Sequence, residues 1–203
     1  NCKHPHACIH KPFLKSFRAV QDRWSVFNAA LGNLVSELSR PWIDLDRYAE
    51  IRLEEALAEA DLSLRFLEEG LHRNAAGKAF QAWKAALAAA AASAREALRS
   101  RFGGRVSTRE GYEVELVDWL IALMPTGRMW EAARALRGVY GDEVVLLTAI
   151  ALNLHEVQYN GLDESGVLSR YSSLEQVEED VKELVERTRK FVEEMRKRLS
   201  EAR

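Results

Sequence analysis

The chain has 203 residues, of which 47% are hydrophobic and 30% charged, and its formal net charge at pH 7 is −2. The apolar fraction excludes a disordered chain, and the length suits one packed domain with an appended arm. The near-neutral charge excludes a uniformly basic nucleic-acid binder, and two cysteines cannot supply the disulfide framework of a secreted fold. No uncharged apolar run reaches the roughly 18 residues that a membrane-spanning helix needs. We therefore expect a cytoplasmic protein that does not insert into a membrane.

Cysteine and histidine alternate in residues 1–12, a segment that we predict to be flexible. The potential metal ligands are Cys2, His4, His6, Cys8 and His10. Side chains of these types bind zinc or nickel. A structural zinc site usually takes its ligands from two separated pairs, however, and the sequence has no second cluster. We therefore predict no metal site and no cofactor, with these five residues as the candidates if a metal is bound.

A long amphipathic helix is predicted for residues 13–40. Its apolar positions follow one another in alternating steps of four and three: Phe13, Phe17, Val20, Trp24, Phe27, Leu31, Leu34 and Leu38. This heptad spacing is typical of a helix that packs lengthwise on a partner, either its own bundle or a second chain. The seam therefore predicts a homodimer or a higher homo-oligomer. Pro41 ends the helix, because the residue before a proline is disfavoured in the α conformation.

Residues 41–203 are predicted to form an antiparallel helical bundle whose helices are separated by glycine and proline. The predicted helices run from Asp44 or Asp46 to Gly70, and then over 74–100, 107–124, 126–137, 144–159 and 173–203. The second is dominated by alanine, the best helix former, whose small side chain makes it the natural central helix. Ser107 and Glu110 form the capping box that begins the third. No segment shows the period-two alternation of a strand, so the sequence predicts an all-α fold.

Polar side chains form a stripe along the alanine-rich helix. Asn74, Lys78 and Gln81 follow steps of four and three, and Lys84 continues the line. Together with Arg73, such a stripe can bind a phosphate or a carboxylate. The alternative is a solvated face on which the lysine stems cover alanines.

A second polar feature ends the apolar helix predicted over 144–159. His155 and Tyr159 are one turn apart and therefore share a face of this helix, on which we expect Tyr159 to contact a bound ligand. A histidine near a helix C-terminus has its charged form favoured by the helix dipole and can act as an acid or a base. The alternative is a histidine at the edge of the core that bonds to a neighbouring helix.

A helix and a short Glu-Glu-Gly turn are followed by RNAAGKAFQAWKA, an alanine–lysine helix that carries Ala75, Lys78, Ala82 and Lys84. The stretch over residues 56–91 resembles the archaeal PaREP family of helical proteins and, more distantly, the HEPN superfamily. The later LHEVQYNG and the glutamate-rich last helix are similar to the family's C-terminal half, so the resemblance covers about residues 44–200. It implies a compact helical bundle, often dimeric. The alanine-rich helices and abundant Glu/Arg pairs also favour a thermophilic protein.

The resemblance carries two expectations about function. HEPN relatives include ribonuclease toxins and partners of nucleotidyltransferases, and the nuclease branch carries an arginine four to six residues before its histidine. This chain departs from that pattern, since residues 148–154 ahead of His155 contain no arginine. We therefore expect a non-enzymatic bundle that binds a partner protein, such as a nucleotidyltransferase-like one, or a small anionic, nucleotide-like ligand. The alternative is a HEPN-type endoribonuclease or nucleotide-handling enzyme that acts on RNA or nucleotides with His155 as acid or base.

Overall fold

Seven α-helices and two short strands follow one another in the computed structural model, which describes residues 39–108 and 111–201. In chain order they are α1 (Leu45–Glu68), α2 (His72–Ser93), α3 (Arg95–Arg99), β1 (Arg105–Ser107), β2 (Glu113–Glu115), α4 (Leu116–Leu123), α5 (Thr126–Tyr140), α6 (Glu143–Asn160) and α7 (Leu174–Glu201). The predicted all-α fold is confirmed, since each strand has three residues. The Cys/His segment and residues 13–38 of the predicted amphipathic helix lie outside the described residues. None of the helices that the structure describes has both the length and the apolarity to cross a bilayer.

The alanine-rich helix α2 lies at the centre of the bundle. Each residue from Ala85 to Ala92 is buried, and α1, α6 and α7 all pack against α2. Small side chains let these three helices approach the α2 backbone closely, and the larger Phe80, Trp83 and Leu87 fill the remaining space. The core therefore sits around α2 rather than between two layers.

The directions of α1 and α6 follow from their connections to α2. α1 is antiparallel to α2, because three residues, 69–71, join them. α6 is antiparallel to α2 as well, since Arg73 near the start of α2 contacts Gln158 near the end of α6, whereas Trp83 reaches Thr148 near its beginning. α7 packs against α1, α2 and α6 and closes one side of the bundle.

Within the described part of the chain, the other side of α2 lies open between α1 and α6, because the backbones of these two helices do not approach each other. The polar residues predicted to form a stripe lie along this strip of α2, with Asn74 exposed and the other three partly exposed. We call the strip and the charged side chains beside it the α2 groove. Its residues are Arg52, Glu55 and Glu59 of α1, Asn74, Lys78, Gln81 and Lys84 of α2, and His155 of α6.

The helix predicted over residues 107–124 is wrong in its first half. β1 and β2 pair as an antiparallel hairpin in which Val106 faces Val114, and the helix begins at Leu116. The Ser107 hydroxyl donates to the Glu113 carboxylate across the hairpin instead of capping a helix. Gly111, with a φ of 84°, provides the left-handed turn that reverses the chain.

Two predicted helix ends also require correction. The helix predicted over 74–100 breaks at Ala94, whose backbone leaves the helical region, and continues as the short α3. The helix predicted to end at Arg137 continues through Gly138 to Tyr140. The helix start predicted at Asp44 is confirmed, since the Asp44 carboxylate caps α1 by accepting from the Arg47 amide at 2.9 Å.

Candidate ligand-binding groove

Lys78 of α2 forms an ion pair with Glu59 of α1. Its ammonium lies 2.8 Å from Oε2 of Glu59 and 3.1 Å from Oε1, and both side chains are partly buried. A partly buried pair of this kind is costly to break, because the remaining charge is left without a counter-ion. Lys78 therefore holds the α1–α2 hairpin and leaves little charge for a ligand.

Lys84 lies about two turns further along α2 in a different situation. Among the residues that the structure describes, no carboxylate is within ion-pair distance of its ammonium, which is partly buried beside Arg52. Burial is the main cause that lowers the pKa of Lys84, the Arg52 guanidinium lowers it further, and the Glu55 carboxylate opposes both. The groove thus holds an ammonium group that the fold does not neutralise.

Arg52 and Glu55 form the α1 side of this cluster. They pair with each other at 2.6 Å, one turn apart, and the Arg52 side chain is 12% exposed. The Arg52 Nε atom is buried and has no hydrogen-bond partner among residues 39–108 and 111–201. Burial also raises the pKa of the Glu55 carboxyl, an effect that Arg52 opposes. The guanidinium is therefore held in place by one carboxylate while one of its donors stays unused.

His155 is brought to the groove from α6. Its ring stacks on Phe80 with 4.2 Å between ring centroids, and it meets the Tyr159 ring edge-on at 5.1 Å. The Nδ1 atom is buried, and no described residue forms a hydrogen bond with it. Burial lowers the pKa of His155 and the nearby Lys84 charge lowers it further, whereas the Gln158 amide favours the charged form. Burial and the Lys84 charge therefore favour the neutral form of the imidazole, which can accept a proton.

Gly77 explains how the Gln158 side chain fits beside His155. A Cβ atom at position 77 would lie 2.7 Å from the Gln158 amide, closer than real Cβ contacts come. Gly77 therefore leaves the room in which this amide packs against α2. The sequence marks Gly77 as an interruption of the alanine run, but it does not show which neighbour fills the space.

Arg73 and Tyr159, both predicted as ligand contacts, lie at the end of the groove. Arg73 donates from Nε to the Gln158 carbonyl at 2.9 Å and from a terminal nitrogen to the Tyr159 carbonyl at 2.7 Å. It thereby caps the C-terminus of α6, where cations are favoured. The Tyr159 residue is 68% exposed. Arg73 thus has a structural role here, while the Tyr159 ring stays accessible.

Sequence reasoning missed the three α1 side chains of the groove. Their spacing of three and four residues is also that of ordinary surface ion pairs, so the pattern alone does not single them out. Counting residues from the turn at Gly70 could have identified them. In an antiparallel helical hairpin, residues at similar sequence separations from the turn lie side by side, as Glu59 and Lys78 do. The same counting places Arg52 and Glu55 near Lys84.

The groove carries more positive than negative charge. Three cations, Arg52, Lys78 and Lys84, face two carboxylates, Glu55 and Glu59, each of which has a cationic partner. The unpaired charge belongs to Lys84. No group of histidine, cysteine, aspartate and glutamate suitable for a metal ion occurs within residues 39–108 and 111–201. The arrangement is suited to an anion rather than to a cation.

These features define an α-helical bundle protein with a charged groove over its central helix. The chain belongs to the archaeal PaREP1/PaREP8 family, whose family model matches residues 51–182. This range contains every residue of the α2 groove. No curated protein and no solved structure matches the chain. The more distant HEPN resemblance therefore stays a prediction.

Proposed function

We propose that this protein binds a small anionic ligand, of which a nucleotide phosphate is the model, in the α2 groove. The observation that carries the proposal is the partly buried Lys84 ammonium, which has no ion-pair partner among the described residues and lies beside Arg52. A fold rarely keeps an unneutralised charge in a partly buried position, because desolvation is costly. An anion supplied by a ligand would remove this cost.

The neighbouring groups support this choice of ligand. The Arg52 Nε donor lacks a hydrogen-bond partner, and hydrogen bonds from charged donors to phosphate oxygens are among the strong ones. Tyr159 leaves an exposed aromatic ring at the groove end. Aromatic side chains stack on nucleobases, so a nucleotide would meet both a phosphate site and a stacking surface.

Lys84→Met is expected to weaken the binding of ATP about tenfold or more, since a charge-assisted hydrogen bond contributes roughly 1.5–3 kcal/mol. Isothermal titration calorimetry with ATP and with inorganic phosphate measures this. Lys182→Met is the matched control, because Lys182 is an exposed lysine that pairs with Glu178 on α7. The melting temperature of Lys84→Met should not fall, since methionine keeps the apolar stem and the fold loses no ion pair. Equal affinity in both variants, or no binding by the wild type, contradicts the proposal.

A second candidate function is RNA cleavage, which one observation favours: His155 has a buried, unpartnered Nδ1 and lies near the Lys84 charge. A neutral histidine can take the proton of a ribose hydroxyl while a lysine stabilises the phosphate. Under this hypothesis His155→Ala should reduce cleavage of single-stranded RNA about 100-fold or more, the usual contribution of general acid–base catalysis. Gel electrophoresis of single-stranded RNA incubated with the wild type or with the variant measures this cleavage. Cleavage that persists in His155→Ala removes the catalytic role.

A further inference from the structure

We propose that Lys84 forms a reversible imine with an anionic aldehyde or ketone bound in the α2 groove. The proposal rests on the anion-binding function above and adds the chemical class of the ligand, a carbonyl compound that also carries a phosphate or carboxylate. Its geometric basis is the position of one lysine amine on the open strip of α2, between the Arg52–Glu55 pair on one side and His155 on the other.

The surroundings of Lys84 are those that make a lysine nucleophilic. An amine attacks a carbonyl in its neutral form, and that form is favoured by partial burial and by a neighbouring cation. Both conditions apply to Lys84, because it is partly buried and the Arg52 guanidinium lies beside it. The same two influences lower its pKa, with Glu55 acting in the opposite direction.

Other lysines of the described residues are held differently. Lys78 pairs with Glu59, Lys182 with Glu178 and Lys190 with Glu186. A carboxylate next to the ammonium stabilises the charged form and suppresses attack. Lys197 has no ion pair but is exposed on α7, where water stabilises its charge. Among these residues Lys84 alone combines burial with the lack of a carboxylate partner.

The atoms of the reaction balance between the Lys84 amine and the bound carbonyl compound. The Lys84 Nζ atom forms a bond to the carbonyl carbon, and the carbonyl oxygen takes up a proton to give a carbinolamine. That oxygen then leaves as water while the C=N bond forms and the nitrogen loses its remaining proton. The two protons that the nitrogen gives up are the two that the oxygen gains on leaving as water, so the step balances, and solvent carries them from one atom to the other. No oxidant or reductant is needed.

Trapping with sodium cyanoborohydride tests the proposal on the full chain. Pyridoxal 5′-phosphate is the probe, because it carries both an aldehyde and a phosphate, and reduction converts its imine into a stable secondary amine. Peptide mass spectrometry then locates the adduct. We expect Lys84 to be labelled several-fold faster than the exposed Lys197, because partial burial and the nearby Arg52 charge favour the neutral, nucleophilic form of Lys84. Equal labelling of the two lysines, or no adduct on Lys84, overturns the proposal.

Two further arms separate this proposal from anion binding itself. Lys84→Arg keeps the positive charge and removes the nucleophile, so this variant should still bind inorganic phosphate while losing the labelled site. Pyridoxal without its phosphate should label Lys84 more slowly than the phosphorylated probe if the groove binds anions. Phosphate binding without an adduct refutes imine formation and leaves the proposed function intact. Equal labelling of Lys84 by both aldehydes supports the reactive amine and counts against the anion site.

Discussion

Replacing Trp83 with alanine is expected to lower the free energy of unfolding by about 3–5 kcal/mol, the range found for truncating large buried aromatic residues. The Trp83 side chain is fully buried on α2, where its ring meets Phe191 of α7 edge-on at 5.2 Å. Its indole N–H donates to the Thr148 hydroxyl of α6 at 2.9 Å. Trp83 thus joins three helices of the bundle. Ala79 and Ala86, one turn away on either side of Trp83 along α2, have side chains too short to fill the cavity.

Urea unfolding followed by circular dichroism measures the Trp83 effect, with two variants as controls. Trp83→Phe keeps most of the ring packing, so it should lower the free energy of unfolding clearly less than the alanine variant does. The Thr148 hydroxyl loses the indole donor but still donates to the Val144 carbonyl at 2.7 Å. Trp130→Ala removes a tryptophan that is 37% exposed on α5 and should lower the free energy of unfolding by no more than about 1 kcal/mol. A loss below about 1 kcal/mol for Trp83→Ala would contradict the central place of α2.

The main features of the bundle were predictable because they depend on local residue preferences. A run of alanines between Ala85 and Ala92 forms a helix in nearly any context, and its small side chains require that other helices cover it. Asp44 marks a helix start through a hydrogen bond to its own segment. Such signals involve residues a few positions apart, so the sequence contains them directly.

The hairpin was not predictable from the same signals. Ser107 and Glu110 match a capping box, and three-residue strands are too short to show a clear alternation. The break at Ala94 is equally invisible, since alanine is the best helix former. Contacts distant in sequence decide both: Arg95 leaves the line of α2 and pairs with Asp118 of α4, so the chain between them must turn back.

The candidate site was predictable on α2 and not on α1. The steps from Asn74 through Lys78 to Lys84 place these side chains on one side of a helix, and periodicity alone gives this result. What distinguishes the two lysines is their partners, Glu59 for Lys78 and Arg52 for Lys84, which come from another helix. Hence the stripe can be read from sequence, whereas the roles of its members require the packing of α1.

Replacing Asp118 with alanine is expected to destabilise the protein by about 1.5–3 kcal/mol, the contribution of hydrogen bonds to a charged group, because Glu115 still lies 3.1 Å from the Arg95 guanidinium. The Asp118 carboxylate accepts from Arg95 Nε at 2.6 Å and from a terminal nitrogen at 2.9 Å, and its side chain is 8% exposed. It raises the pKa of the Arg95 guanidinium further above its usual range. Urea unfolding measures the loss, since urea does not screen charges as guanidinium chloride does.

Glu96 provides the matched control for this pair, because it contacts the same guanidinium at 3.1 Å from an exposed position. Glu96→Ala should change the free energy of unfolding by less than about 1 kcal/mol, as exposed ion pairs do. Arg95→Met and Asp118→Ala remove the same two hydrogen bonds, so the double variant should lose less stability than the sum of the two single variants. If Asp118→Ala costs no more than Glu96→Ala, the Arg95 pair does not hold α3 and the hairpin against α4. Full additivity in the double variant would show that the two residues stabilise the junction independently rather than as a pair.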